Sequence, residues 1–584
     1  MKSNGILKPF FRESWRLYVS SFTLHAVAGI IFACFPKVLG EFTDRLQAGE
    51  LTMQDVAHYS LLLLAIGAGN AVIGGYGQYL VMYVGRWFEF ITRRQLFAHF
   101  SELSERFYSQ NGVGKMLSYF MNDVTNVRES ISRGFNQMMA STLLLFSCIG
   151  AMIVSGIPLY LIAASVCPLV LIAWIVTRFG PAIRKRSLKV QESLGAMTEA
   201  AEEQFGGIRV TKKFAVERIM IARFGIYVDR IRDNQLSLVR LSSFFQALVP
   251  FLGAMSLMIA LALGGYLAMT GTITLGNFVA LMLYIRLLIN PLEQIGNVIN
   301  TVQRSSASLQ RLDDLVAVQP DIVEAKDAVP ASLEQGEVVI QGLTFLYPES
   351  SQPALREIDL VIKPGMTVGV VGRTGSGKTT LVKLLLRTYE PPIGTVRVGG
   401  KDIRELTLDS LRSQIAYVPQ DGFLFSTTIR ENIAFPKREA GQQEIEDAAK
   451  QARIYDNIIE FPDRFETKLG ERGVTLSGGQ RQRTSLARGL IKQAPVMILD
   501  DSVSAVDAVT ETGILRTIQE ERQGKTTIII ANRISALKHA DLILVFEGGR
   551  IVQRGQHEQL LAEPGLYATL HAIQEEGSRH AAGH

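Results

Sequence analysis

The stretch MTVGVVGRTGSGKTT, residues 366–380, runs an apolar strand-like segment into a glycine-rich turn and continues into LVKLLL, which has the composition of a helix. Gly372, Arg373, Thr374, Gly375, Ser376, Gly377, Lys378, Thr379 and Thr380 have both the spacing and the strand-to-helix context of a phosphate-binding loop. The glycines allow backbone N–H groups to close around phosphate oxygens, the Lys378 ammonium meets the outer phosphates, and the Thr379 hydroxyl can ligate magnesium. A nucleoside triphosphate is therefore the expected ligand. The loop lies in an α/β domain that opens with the alternating pattern GEVVIQGLTFLY at 336–347.

Outward from the loop toward the N-terminus, the composition changes near residue 320. The chain of 584 residues is 47% hydrophobic and only 20% charged, with a mean hydropathy of +0.19, which is too apolar for a wholly soluble protein. Residues 17–36 and 59–85 carry no Asp, Glu, Lys or Arg. Each can cross about 30 Å of hydrocarbon at about 1.5 Å per residue. Residues 134–177 form a longer uncharged run broken by SGIP at 155–158, which reads as a third and fourth span joined by a turn. Residues 241–285 repeat the arrangement around TGTITLGN at 270–277, and the sixth span continues through Arg286. Six spans are expected.

Basic residues gather at the N-terminus and in the 86–133 and 178–240 loops, including RKR at 184–186, so both termini and the α/β domain are expected on the cytoplasmic side. The first outer loop, with Glu41, Asp44, Glu50 and Asp55 against Lys37 and Arg45, is mildly acidic. RWFEFITRRQLFAHFSEL at 86–103 has helical spacing, so the spans are expected to extend as helices into the cytoplasm. The net charge of +5 is small for this length and is not gathered into a basic run, which argues against nucleic acid as a partner. Cys34, Cys148 and Cys167 are scattered through apolar segments and suggest neither a disulfide framework nor a metal cluster. The N-terminal segment leads into a full-length apolar run without a small-residue cleavage site, so no cleaved signal peptide is expected.

Outward toward the C-terminus, LSGGQRQR begins at Leu476 and the apolar run PVMILDD ends at Asp501. With these signatures and six preceding spans, the chain resembles a half-transporter of the ATP-binding cassette (ABC) superfamily, exporter type, over nearly its whole length. The resemblance implies a six-span α-helical transmembrane domain over 1–320, a linker over 321–336, a nucleotide-binding domain over 337–573 and a disordered tail over 574–584. It also implies ATP and Mg2+ as cofactors, a cell-membrane location, a small amphipathic substrate and a second half-transporter as partner. Tyr347 would stack on adenine; Thr379, Gln420 and Asp500 would hold the metal. Ser477, Gly479 and Gln480 would contact the γ-phosphate of a nucleotide on a second cassette, and Asp507 would touch that opposite site. TKLGERG at 467–473 looks like the segment that senses the partner's inner loops. NDV at 122–124 and GIRVTKKF at 207–214 are similar to the sequences around the two coupling helices, although Tyr119 stands where the family often has Arg.

Two positions depart from the family pattern. The family places a glutamate after the metal-binding aspartate, to polarise the attacking water, and a histidine some thirty residues later, against the γ-phosphate; this chain has Asp501 and Asn532. The Asp501 carboxylate sits roughly 1 Å or more further back from a water that must lie within about 2.6–3.2 Å of its base. Asparagine donates a hydrogen bond but carries no charge to stabilise the transition state. Both changes fall on chemical positions while the binding positions are retained. The pattern resembles the degenerate subunit of heterodimeric bacterial multidrug exporters, which binds ATP, hydrolyses it slowly and completes its partner's site with an intact LSGGQ. The alternatives are an active homodimer, a lipid or siderophore translocator, and a non-hydrolysing regulatory subunit. In span six, Arg286 is expected to face a cavity or a partner acid. Glu293 is expected to be solvated near the inner end of the span, and His557 to be structural.

Overall fold

A computed structural model describes residues 5–333, 337–470, 473, 475–504 and 506–582. The chain divides into two compact units, one of residues 1–101 and 111–319, the other of residues 102–110 and 320–584.

The first unit is helical. Its principal helices, Leu7–Ala48, Met53–Glu102, Leu159–Gly206, Glu217–Met269 and Leu275–Val316, run from 42 to 53 residues. About 20 residues suffice to cross a bilayer, so each helix continues well beyond the hydrocarbon, as the helical spacing of 86–103 leads one to expect. Five stretches among the described residues are long and apolar enough to cross a membrane: Leu7–Ala48, Met53–Glu102, Glu105–Val154, Glu217–Met269 and Leu275–Leu292. A shorter apolar stretch, Leu159–Ile172, lies where the sequence places the fourth span, inside the continuous helix Leu159–Gly206. The two expected hairpin turns occur at Gly156 and Gly271, whose φ angles of 76° and 75° favour glycine. Buried charge in this unit is paired. Glu89, 8% exposed, meets Arg86 at 2.9 Å, Arg93 at 2.8 Å and Arg128 at 3.3 Å. Asp123, from the NDV stretch, receives the Arg311 guanidinium. Cys34 and Cys167 are exposed, Cys148 is buried, and all three are free.

The second unit contains two sheets. A six-stranded sheet runs in the order Arg550–Gly555, Leu542–Glu547, Thr367–Gly372, Thr526–Ile530, Val496–Asp500, Ile415–Val418. Its central pairs are parallel, and Thr367–Gly372, Val496–Asp500 and Thr526–Ile530 are almost wholly buried, so these strands read as continuous apolar runs. A four-stranded antiparallel sheet pairs Val338–Phe345 with Leu355–Ile362 and with Val396–Val398, whose other neighbour is Lys401–Asp402.

The structure adds detail to the linker and to NDV and corrects the reading of the tail. The described part of the linker packs against the cassette. Val329 bridges to Leu406, the Ala331 and Leu333 amides donate to Ser410 Oγ and Gln414 Oε1, and both side chains are buried in the cassette core; residues 334–336 lie outside the described set. Apolar positions spaced by two in a segment read only as a boundary supply this packing. The tail expected to be disordered is helical as far as Ala582, as part of the helix Leu566–Ala582. Tyr567 in its first turn is fully buried, and the alanines and glutamates that follow are strong helix formers. NDV lies in the first unit, with Asn122 and Asp123 inside a π-helical turn, Tyr119–Asp123. The segment that belongs to the cassette unit is 102–110: Glu105 pairs with Lys383 at 2.5 Å, and Arg106 and Gln110 bind Glu349 at 3.0 and 2.6 Å.

Candidate ATP site

The phosphate-binding loop connects the buried strand Thr367–Gly372 to the helix Lys378–Leu385. Gly377 has φ 102°, and a Cβ there would stand 2.6 Å from the Ala354 carbonyl oxygen, so glycine is required on both conformational and steric grounds. Lys378 Nζ donates to the carbonyls of Gly372 at 2.7 Å and Arg373 at 3.1 Å, folding its ammonium back over the loop. Burial pushes the Lys378 pKa down, against the opposing pull of Asp501 and Asp500. Arg373, Thr374 and Gly375 are exposed at the mouth, and the Ser376 hydroxyl is buried with no hydrogen-bond partner among the described residues. An exposed glycine-rich rim, a cation and an orphaned hydroxyl fit a polyphosphate.

Asp500 ends the strand Val496–Asp500, 3% exposed, and accepts from Thr379 Oγ1 at 3.4 Å and from the Tyr417 hydroxyl at 3.3 Å. Desolvation raises the Asp500 pKa, with Asp501 adding to the rise and Thr379, Tyr417 and Lys378 opposing it. A bound dication would reverse that balance; a carboxylate and a hydroxyl at this separation suit the oxygen ligation that magnesium prefers. The Tyr347 hydroxyl donates to Thr380 Oγ1 at 3.1 Å, and the Tyr347 ring is held edge-on by Phe345 and Tyr389 at centroid distances of 5.1 Å each. That contact fixes Tyr347 beside the loop.

Asp501 follows the strand with φ 48°, its N–H bonded to the Ile530 carbonyl at 2.8 Å and its side chain 9% exposed. One carboxylate oxygen, Oδ2, accepts from both Asn532 Nδ2 at 2.9 Å and Gln420 Nε2 at 3.3 Å. Asp501, Asn532 and Gln420 therefore form one hydrogen-bonded cluster.

The remaining candidates stand at two other helix starts. Ser477 caps Gly478–Leu490: its hydroxyl accepts from the Gln480 amide at 3.3 Å, and Gln480 Oε1 accepts from the Ser477 amide at 2.9 Å. Gly479 lies in that first turn, and Gln482 ties the helix to the Gln420 carbonyl at 3.4 Å. Asp507 caps Ala508–Glu521 by accepting from the Thr510 amide at 3.0 Å, the bond that leads in holding its pKa low. In TKLGERG, the Leu469 amide bonds the Thr427 carbonyl at 2.9 Å, while Glu471 and Arg472 lie outside the described residues. Arg286 is exposed on its helix, and the Glu293 side chain is outside the described set. His557 Nδ1 shares a hydrogen bond with the Tyr567 hydroxyl at 2.8 Å, a packing role. Sequence reasoning missed Tyr417, Tyr389 and Gln574, whose neighbours are set by the fold and leave no motif.

Comparison with known proteins agrees with this geometry. Residues 18–292 match the family model described as ABC transporter transmembrane region, and residues 355–504 the one described as ABC transporter. The chain is 35% identical over 96% of its length to a probable multidrug resistance ABC transporter ATP-binding/permease protein, YheI, of Bacillus subtilis, 95% of which is covered. It is 34% identical to an ATP-dependent lipid A-core flippase of Thiobacillus denitrificans, with 98% of each chain covered. It is 32% identical to the multidrug resistance-like ATP-binding protein MdlA of Escherichia coli, with 97% of this chain and 95% of that one covered. A bacterial Atm1-family ABC exporter solved with ATP bound superposes with a TM-score of 0.78 at 26% identity, covering 96% of this chain and 99% of that one. The chain belongs to the ABC transporter family: it is a multi-pass membrane ATPase of exporter type, with the transmembrane region and the ATP-binding domain fused in one polypeptide.

Proposed function

We propose that this chain is the degenerate subunit of a heterodimeric multidrug exporter. It binds ATP with Mg2+ through Tyr347, Lys378, Thr379, Gln420 and Asp500, turns it over slowly, and lends Ser477, Gly479 and Gln480 to its partner's site. The carrying observation is the Asp501 cluster. The carboxylate is one methylene shorter than the usual glutamate, and its Oδ2 is engaged by two amide donors, Asn532 and Gln420. A base whose lone pairs accept from amides is less available to a water, and Asn532 brings no positive charge. ABC exporters act as dimers in the membrane, so a slow site here leaves turnover to a site on the second subunit. The multidrug names of the YheI and MdlA relatives support a small amphipathic cargo. The distribution of basic residues supports a cytoplasmic cassette and cytoplasmic termini.

The test is to purify the full chain alone and measure both ATP binding and turnover. Micromolar binding with little hydrolysis is expected; robust magnesium-dependent hydrolysis by the single chain would sink the heterodimer reading. The similarity to lipid A-core flippases favours a second reading, a homodimeric lipid translocator. That reading expects the same purified chain to hydrolyse ATP and to be stimulated by a lipopolysaccharide-type lipid.

A further inference from the structure

Asn532 is held from behind by the last helix of the chain. Gln574, in Leu566–Ala582, accepts from the Ile534 amide at 2.9 Å and donates to the Asn532 carbonyl at 2.7 Å. These two groups flank Arg533, so one side-chain amide brackets the turn on which Asn532 stands. The other side of the turn is tied by Arg533 Nη1, which bonds Glu511 Oε2 at 2.6 Å; Glu511 is 4% exposed and lies in the helix that Asp507 caps. The turn is thus pinned between two helices. From it the Asn532 side chain reaches Asp501 Oδ2 at 2.9 Å. A cleft of about 1060 Å³, lined by Glu511, Arg533, Ile534, His571 and Gln574 among others, opens beside the turn, while Ala531 and Ile534 at its two ends are buried in the cassette core. Asn532 and Arg533, exposed between those two anchors, are fixed in addition by the hydrogen bonds with Gln574 and Glu511.

We propose that Gln574 is a positioning residue for the ATP site, setting where the Asn532 amide stands and through it the orientation of the Asp501 carboxylate. This rests on the reading of Asn532 as the γ-phosphate contact. The C-terminal helix then acts on the site without touching nucleotide, and whatever displaces that helix alters how the site holds ATP.

A γ-phosphate contact distinguishes ATP from ADP, whereas a merely structural role does not. The experiment is to measure the affinities of the full chain for Mg-ATP and Mg-ADP, with melting midpoints alongside, in Gln574→Met, Asn532→Ala and the double variant. Methionine keeps the length and apolar bulk of the side chain and removes both hydrogen bonds. Gln574→Met is expected to lower the ATP:ADP affinity ratio about fivefold, as the loss of ordered hydrogen bonding predicts. Asn532→Ala should lower it by at least as much, and the double variant no further, because both act through one contact. If Asn532→Ala lowers the ratio and Gln574→Met leaves it unchanged, the positioning role is overturned while the reading of Asn532 stands. If Asn532→Ala itself leaves the ratio unchanged, both are overturned. Equal loss of ATP and ADP affinity in Gln574→Met would likewise overturn the proposal in favour of a purely structural contact.

Discussion

Asp501 combines two properties that pull on its identity. Its φ of 48° lies in the left-handed region, where a short acidic side chain is tolerated better than a longer one, and its carboxylate accepts from Asn532 and Gln420 together. Asp501→Glu would extend the carboxylate toward the nucleotide at a backbone cost below about 1 kcal/mol, since only the difference between two L-residues is at stake. Combined with Asn532→His, it restores both a longer base and a titratable donor. The double variant is expected to raise ATP turnover at this site without a proportional rise in transport, because a site that keeps ATP bound holds one half of the cassette interface closed. Measuring turnover and export of a fluorescent drug on the assembled transporter decides it: equal gains in both would show that the site limits the machine instead of clamping it.

At the scale of an element, the helix Gly478–Leu490 depends on Ser477 for its start, and the proposed function asks the same serine to reach a partner's nucleotide. The reciprocal Ser477–Gln480 bonds satisfy amides that the helix leaves unpaired. Ser477→Ala would therefore cost about 1 kcal/mol of capping in addition to any loss of function, which confuses the two roles. Ser477→Asp separates them. Aspartate caps as well as serine, so the melting midpoint of the chain should stay close to that of the wild type, while a carboxylate brought to a γ-phosphate should abolish most turnover of the assembled pair. Retained turnover with Asp at 477 would reduce the serine to a capping residue.

For the whole molecule, the proposed heterodimer predicts asymmetry between its two subunits. The chain keeps its binding groups and signature and alters its chemical groups, so its two sets of residues should respond oppositely to substitution. In the assembled pair, Gly479→Asp should stop hydrolysis, because it blocks the partner's site. Asp501→Asn should reduce the pair's hydrolysis by less than about twofold, since the amide is close to isosteric and the site contributes little chemistry. ATPase assays on co-purified wild-type and variant pairs check this. The reverse pattern would assign the active site to this chain.

The amino-acid sequence by itself determined the local elements whose chemistry is carried by neighbours in the chain. The phosphate-binding loop is legible because Gly377 and Lys378 do their work within a few residues, through a φ of 102° and bonds to the carbonyls of Gly372 and Arg373. The uncharged runs are legible because a bilayer imposes a length and a composition on each segment separately. The oddity at Asp501 and Asn532 was visible too, as two departures from a known pattern. Only the tertiary structure decided how those departures are joined. Asp501 and Asn532 are 31 residues apart in the chain, and Gln574 a further 42, yet parallel pairing of Val496–Asp500 with Thr526–Ile530 sets the first two side by side and the packing of Leu566–Ala582 brings the third behind them. The packing of the linker and the helicity of the tail escape the sequence for the same reason. Their order comes from partners distant in sequence, Leu406, Ser410 and Gln414 for the linker and Gln553, which accepts from the Tyr567 amide, for the last helix, and a hydrogen bond to a distant residue leaves no periodicity in the segment that makes it.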